Sequence, residues 1–420
     1  MQLFGNSEWL ILMTAIIWVC GDNQMEAIKR VRLSEIAELI TKGTTPTTLG
    51  YNFQEDGVNF LKIECFSEDG TYIKEKTAHI SEECHEKLKR SKLRTGDILF
   101  SIAGAIGRVA VVTEEMLPAN TNQALAIIRV TRDDIYLPYI KLILTSQIVK
   151  AQFERKKQGV AQLNISLKDI NELEIPLPEK SKQIECASLL EKISGIITAR
   201  QKQLQELDEL VKARFIELFG DCVLNTKGWK AKRLGDIAEV GSSKRVFVED
   251  LKESGVPFYR GTEIGALAEG KAVVPELFIS REHYVDLCKA TGAPNIGDLL
   301  MPSICPDGRI WVVNTEKPFY FKDGRVLWVH AIDNSYNPVF LLYSLKDRIM
   351  SDYSSIASGT TFAELKIFAL KECHVFDVPL ELQNQFAAFV NQTDKGKFAV
   401  QKALDEAQML FDSLMQKYFE

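Results

Sequence analysis

The side chains best suited to chemistry are present in this chain, but without the spacing that catalysis requires. Asn337-Pro338-Val339-Phe340 approximates the Asn-Pro-Pro-Tyr signature of amino-methyltransferases and lacks its second proline. Its counterpart in the first half, Leu137-Pro138-Tyr139-Ile140, carries proline at the same place, where a helix start has no partner for the first N–H anyway. Pro306-Asp307 resembles the opening of a nuclease carboxylate motif, yet no Glu-x-Lys partner lies at suitable spacing. Glycine loops of the phosphate-cradling types are absent. The five histidines have no partnered serine or cysteine motif that would build a triad. Eight cysteines are scattered without a Cys-x-x-Cys pair, which suits neither a zinc site nor a disulfide framework and predicts reduced thiols in the cytoplasm. Cys84-His85 and Cys373-His374 are adjacent, too close in sequence for the usual metal-ligand geometry, so no metal site is expected. The chain reads as non-catalytic, which leaves its polar and basic loops to be placed.

The elements that would position such loops occur twice. Arg32-Leu33-Ser34-Glu35-Ile36-Ala37-Glu38 returns 201 positions later as Arg233-Leu234-Gly235-Asp236-Ile237-Ala238-Glu239. Gly96-Asp97-Ile98-Leu99 returns as Gly297-Asp298-Leu299-Leu300, and Gly107-Arg108-Val109 as Gly308-Arg309-Ile310, at the same interval. Between these anchors the halves differ almost completely, which predicts one scaffold used against two targets. In the first half, Val58–Ile63, Asp97–Ile102, Arg108–Thr113 and Ala124–Val130 read as short strands between Gly, Pro and Asn punctuation. Pro138 then opens a helix to about Lys157, Pro338 opens its counterpart, and Leu173–Pro178 is extended.

Each half closes on a long amphipathic stretch. Leu190, Ile193, Ile197, Leu204, Leu207, Val211 and Leu218 form a heptad-like stripe interrupted by Arg200 and Arg214. Phe386, Val390, Val400, Leu404, Ala407, Phe411, Leu414 and Tyr418 form the second, with Gly396 as a weak point. A helix of some forty residues is about 60 Å long. Burying each large apolar side chain is worth roughly 1.5–3 kcal/mol, so the two stripes are expected to pair as an antiparallel coiled coil in a pseudo-two-fold arrangement. The pairing residues expected are Leu190, Ile197, Leu204, Leu207, Val211 and Leu218 with Val390, Val400, Leu404, Phe411 and Leu414.

The resulting layout is α+β: a β-rich domain at 26–178, a spacer helix at 179–220, a second β-rich domain at 226–379 and a second spacer helix at 380–420. Trp9–Cys20 is apolar but too short to span a bilayer and lacks a basic start, so residues 1–24 are expected to be a dispensable extension and no membrane partner is expected. The formal charge is −6 and the pI near 5.7, which leaves any nucleic-acid contact to local clusters. These are Lys87, Lys89, Arg90, Lys92 and Arg94; Arg155, Lys156 and Lys157; and Lys230, Lys232 and Arg233.

Thr41-Lys42-Gly43-Thr44-Thr45-Pro46-Thr47, Gly96 to Ser101, Gly104 to Arg108, Thr121-Asn122-Gln123 and Asn164 to Leu167 are similar, in this order, to the target-recognition domain of type I restriction-modification specificity subunits. Ile175-Pro176-Leu177-Pro178-Glu179, running into Gln183-Ile184, resembles that family's junction with its conserved helix. The order recurs through Gly297 to Leu300, Gly308-Arg309, Gly359-Thr360-Thr361 and Val378-Pro379-Leu380 to Gln385-Phe386. In the second copy Ser242-Ser243-Lys244-Arg245 replaces the Gly-Thr-x-Pro loop, and Asp323-Gly324 replaces Asn122-Gln123.

The resemblance implies a DNA-recognition subunit without catalysis of its own. It would read a bipartite, asymmetric site in double-stranded DNA and hold two methyltransferase subunits and, in the full complex, two restriction-translocase subunits. S-adenosylmethionine, ATP and Mg would belong to those partners, and none is expected on this chain. The helices would act as a ruler, since a 60 Å rod at about 3.4 Å per base pair covers at most roughly 18 base pairs. DNA contact is expected from Lys42, Thr44, Thr45, Thr47, Gln123, Gln158, Gln162 and Asn164 in the first domain, and from Ser243, Lys244, Arg245, Arg260, Arg309, Thr360 and Thr361 in the second. Arg108 and Arg309, both next to glycine, also suit a structural salt bridge. Two other readings stay open: a coiled-coil scaffold that does not bind DNA, and the recognition subunit of another restriction type.

Overall fold

The computed structural model describes residues 29–155, 165–358 and 363–419; residues 1–24, read above as an extension, lie outside them. The chain is α+β, and the sequence repeat is a repeat of structure. Two compact units divide it: residues 1–202 with 400–420, and residues 203–399. Each unit therefore contains one β-rich domain and part of both long helices, Lys180–Phe219 and Leu380–Phe419. No helix among the described residues is long and apolar enough to cross a membrane.

The first unit has a four-stranded antiparallel sheet in the order Leu39–Lys42, Leu125–Arg129, Ile98–Ser101, Val109–Val111. The second repeats it as Glu239–Gly241, Val326–His330, Leu299–Pro302, Trp311–Val312. The central strands are apolar along their length because both of their faces are covered. Alternation sends Ile98, Phe100, Ala126 and Ile128 into a core shared with the long helices, and Leu99, Leu125 and Ile127 into another with Leu61 and Phe66. In the second unit Leu299, Met301, Leu327 and Val329 face one core, and Leu300, Val326 and Trp328 the other.

The repeated motifs are largely structural. Gly96 and Gly297 take φ of 85° and 94°, which favours glycine, and the following aspartates accept the backbone N–H of Arg94 and Asn295, each at 2.8 Å. Arg32 and Arg233 precede one-turn helices whose Leu33, Ile36, Leu234 and Ile237 are buried. The helix expected from Pro138 to about Lys157 is instead two, Leu137–Thr145 and Gln147–Arg155. Ser146 breaks it: its N–H and its hydroxyl both bond to the Ile143 carbonyl, and the hydroxyl is what Lys346, at the equivalent place in the second copy, lacks. There the helix Pro338–Ile356 is unbroken.

In the first unit the start of the first long helix meets the end of the second, with Leu190 and Ile193 fully buried in one core with Leu414, Tyr418 and Phe419, and Ile197 and Phe411 packed against it. In the second unit Val211, Phe215 and Phe219 share a core with Phe386 and Val390, and Leu218 packs beside them. Leu204, Leu207 and Leu404 are half-buried and Val400 is buried. Arg214 does not interrupt the seam: its head pairs with Glu217 and lies over the Phe389 ring, so the stem covers apolar surface while the charge stays out.

Gln183 and Gln383 are almost wholly buried and make the same three bonds 200 residues apart. Gln183 accepts from Tyr136 N and donates to the Asp134 and Pro178 carbonyls; Gln383 accepts from Asn337 N and donates to those of Ser335 and Val378. Gln383, rather than the Gln385 suggested by sequence, is thus the counterpart of Gln183.

Candidate nucleic-acid interface

In the first unit the loop after Leu39–Lys42 turns through a 3-10 helix, Pro46–Leu49, and ends on left-handed Gly50. Gly43 crosses the backbone of Thr121 so closely that a Cβ there would lie 1.8 Å from the carbonyl oxygen, and its N–H donates to the Asn122 carbonyl. This crossing brings two segments far apart in sequence together. Thr45 donates its hydroxyl proton to Gln123 Oε1, which leaves the Gln123 amide hydrogens as donors on an exposed side chain. Lys42 and Thr47 are exposed beside them, while Thr44 is half-buried.

Arg90 belongs with this group and was visible in the sequence only as one member of a basic run. Its exposed guanidinium reaches Thr41 Oγ1 at 3.4 Å, at the base of the loop. Lys92 of the same run pairs instead with Glu86.

Strand register equates Thr41 with Gly241, through Ile127 and Trp328, so Gly43, Thr44 and Thr45 correspond to Ser243, Lys244 and Arg245. The Ser243 hydroxyl is turned inward and donates to the Phe321 carbonyl at 2.6 Å, the equivalent of the Gly43 crossing. Lys244 donates its backbone N–H to Tyr320 Oη and leaves its ammonium exposed; Arg245 is exposed above the Phe247 ring. Neither Lys244 nor Arg245 has an ion pair among the described residues. The last two of these positions therefore carry neutral hydroxyls, Thr44 and Thr45, in one copy and two open cations, Lys244 and Arg245, in the other.

The remaining arginines are differently placed. Arg260 bonds to Glu263 and to Glu276. Burial raises the Glu263 carboxyl, but the Arg260 guanidinium and backbone N–H outweigh it and hold it down at about 2. Arg309 pairs with Asp307 at 2.8 Å and Glu269 at 3.6 Å. Both arginines line a cleft of about 540 Å³ together with Glu263, Lys322 and Arg325. Arg108 donates to the Phe66 carbonyl rather than to a carboxylate, so the two glycine-flanked arginines do not share a salt bridge. Gln158, Gln162, Asn164, Thr360 and Thr361 lie outside the described residues.

Two copies of one β-rich scaffold, each presenting a polar loop crossing and each docked on long helices, define a recognition protein with two reading heads. A family model for the type I restriction modification DNA specificity domain matches residues 25–209 and 226–407, and the chain belongs to that family. It is 28% identical over 204 residues to the EcoBI specificity subunit of Escherichia coli, a match over 47% of this chain and 42% of that protein. Against the MjaIX specificity subunit of Methanocaldococcus jannaschii it is 22% identical over 410 residues, 92% of this chain and 91% of the relative.

Among solved structures, the fold is shared with a chain from work on complex assembly and conformational transition of the type I R-M system, with a TM-score of 0.58 at 18% identity, covering 94% of this chain and 98% of that one. It is also shared with the S subunit of the type I system from M. genitalium, with a TM-score of 0.54 at 14% identity, covering 96% and 98%.

Proposed function

We propose that this chain reads a bipartite, asymmetric site in double-stranded DNA for a type I restriction-modification complex, one half-site per β-rich domain. The observation that carries this reading is the loop crossing built twice on one register, with Thr44, Thr45 and Gln123 in the first copy and Lys244 and Arg245 in the second. A conserved backbone with exchanged polar side chains is what two different base sequences require. The chain performs no catalysis in this scheme and works in the cytoplasm. Two methyltransferase subunits with S-adenosylmethionine, and two restriction subunits with ATP and Mg, supply the chemistry, and the paired helices set the gap between half-sites.

Adenine methylation, mapped by single-molecule sequencing in a methylation-free host that expresses the chain with its methyltransferase subunit, tests the reading. A new bipartite motif is expected, with one half changed when residues 30–178 are exchanged for those of a relative and the other half changed when 229–379 are exchanged. A stable complex that leaves no methylation mark would instead favour a scaffold that does not touch DNA.

Within the second half-site, Lys244→Ala and Arg245→Ala test individual contacts by binding to the motif and to single-base variants of it. Loss of a base contact is expected to cost about 1–3 kcal/mol and to relax one position, and loss of a phosphate contact to weaken all sequences alike. Unchanged affinity and specificity in both variants would remove these residues from the interface.

A further inference from the structure

His85 is placed by the fold in a way its sequence neighbours do not announce. Its ring is 8% exposed, and Nδ1 lies 2.5 Å from Oδ1 of Asn120, which is itself fully buried. The Asn120 amide cannot be turned around, because its Nδ2 donates to the Leu88 carbonyl and to Ser91 Oγ. The proton of the neutral imidazole is therefore on Nδ1, and Nε2 carries the lone pair. No hydrogen bond engages Nε2 among the described residues. Glu82 and Glu86 stand one helical turn before and one residue after His85, both exposed, and one ligand atom from each of the three lies within 4.8 Å of the others.

We infer that Glu82, His85 and Glu86 form a binding site for a divalent transition-metal ion of the zinc class, with His85 Nε2 and one carboxylate oxygen from each glutamate as ligands. Asn120 orients the ring as the hydrogen-bonding partners of metal-bound histidines do. Metal–ligand distances of about 2.0–2.2 Å need the three atoms closer together than 4.8 Å, and the two exposed glutamates have the rotamer freedom to reach that. Lys92, 2.5 Å from Glu86, is the competing cation and is displaced on binding. Cys84 is no ligand: it is buried with Val58, Phe60, Ile80 and Leu88. Three protein ligands of nitrogen and oxygen leave the fourth position to water.

The fold does not itself demand this arrangement. In the second unit the corresponding helix, Arg281–Thr291, places Tyr284 edge-on to Tyr320, two rings in place of the His85–Asn120 pair. A bound ion would brace the helix Glu82–Lys87, whose Glu83 accepts the Tyr51 hydroxyl at the end of the Thr44–Thr47 loop. The inference does not depend on DNA reading, and either can fail alone.

The test is calorimetric titration of the chelator-treated full chain with zinc chloride, paired with cobalt absorption to identify ligand type. One equivalent is expected, with a cobalt spectrum free of thiolate bands. Glu82→Gln and Glu86→Gln, both surface changes, are expected to weaken binding at least tenfold each, and Asn120→Ala to weaken it about 10- to 100-fold. Zinc should raise the melting temperature of the wild type and not of the double glutamine variant. Equal zinc affinity in wild type and E82Q/E86Q, or a thiolate-to-cobalt band, would overturn the assignment.

Discussion

Replacing Asp97 by alanine is expected to destabilise the first unit by about 3–5 kcal/mol, a large share of the total stability of a domain. The carboxylate has 1% side-chain exposure and accepts from Arg129 Nε at 2.7 Å and Nη2 at 2.6 Å, and from Arg94 N at 2.8 Å. Without it, a guanidinium with 10% side-chain exposure remains in the fold with no ion-pair partner, Glu38 acting on it only through space. The cost comes from that orphaned charge more than from the lost bonds, so removing both partners should cost less than removing one. Hydrogen exchange resolved by mass spectrometry is the suitable measurement: D97A should lose protection in Ile98–Ser101 and Leu125–Arg129, and D97L/R129M should recover most of it. A double variant as unprotected as D97A would contradict the orphaned-charge account. The second unit offers a contrast, because its Asp298 accepts from the neutral Trp328 indole at 2.9 Å and His330 stands where Arg129 would be. Burial accordingly raises the Asp298 carboxyl above its ordinary range. D298A orphans only neutral donors, the Trp328 indole and the Asn295 N–H, and should cost about 1–3 kcal/mol.

Phe219→Ala is expected to destabilise the second unit by about 3–5 kcal/mol, through lost burial and the cavity left behind. The ring is fully buried, with centroids 4.7 Å from Phe340, 4.9 Å from Phe215 and 5.6 Å from Phe386. This cluster fastens the end of the first long helix to the start of the second and to the helix opened by Pro338. The Phe219 carbonyl also accepts the Trp229 indole at 3.0 Å, and Trp229, Trp311 and Trp328 all lie in the second unit. With Trp9 and Trp18 replaced by phenylalanine, urea unfolding followed by tryptophan emission reports on this unit, and F219A in that background should lower the midpoint strongly. Ile216→Ala, at an exposed position of the same helix, should change it by no more than about 0.5 kcal/mol. Equal shifts for the two variants would mean that the aromatic cluster is not what holds the helix.

The scaffold was legible from sequence where local rules govern it. Gly96-Asp97 and Gly297-Asp298 announce a turn because positive φ and a side chain accepting its own loop's N–H are properties of a few adjacent residues. The long helices follow from apolar periodicity over forty residues, yet Phe215 and Phe219 were missed beside Arg214, whose stem packs while its charge leaves the seam. Ser146 was missed as a break because a hydroxyl inside an apolar helical pattern is silent until its bond to Ile143 is seen.

For the site, residue types were legible and their allegiances were not. The sequence by itself determined two copies of one β-rich scaffold, their helices and the polar composition of the loops, since these depend on periodicity and turn chemistry within short stretches. Only the tertiary structure decided that Thr45 meets Gln123, that Ser243 spends its hydroxyl on Phe321, that Arg260 and Arg309 are held by carboxylates while Lys244 and Arg245 stay open, and that His85 is aimed by Asn120. The physical reason is common to all of these. A polar side chain is committed by whichever donor, acceptor or charge the fold brings within about 3 Å of it, and most of these partners are tens of residues away along the chain.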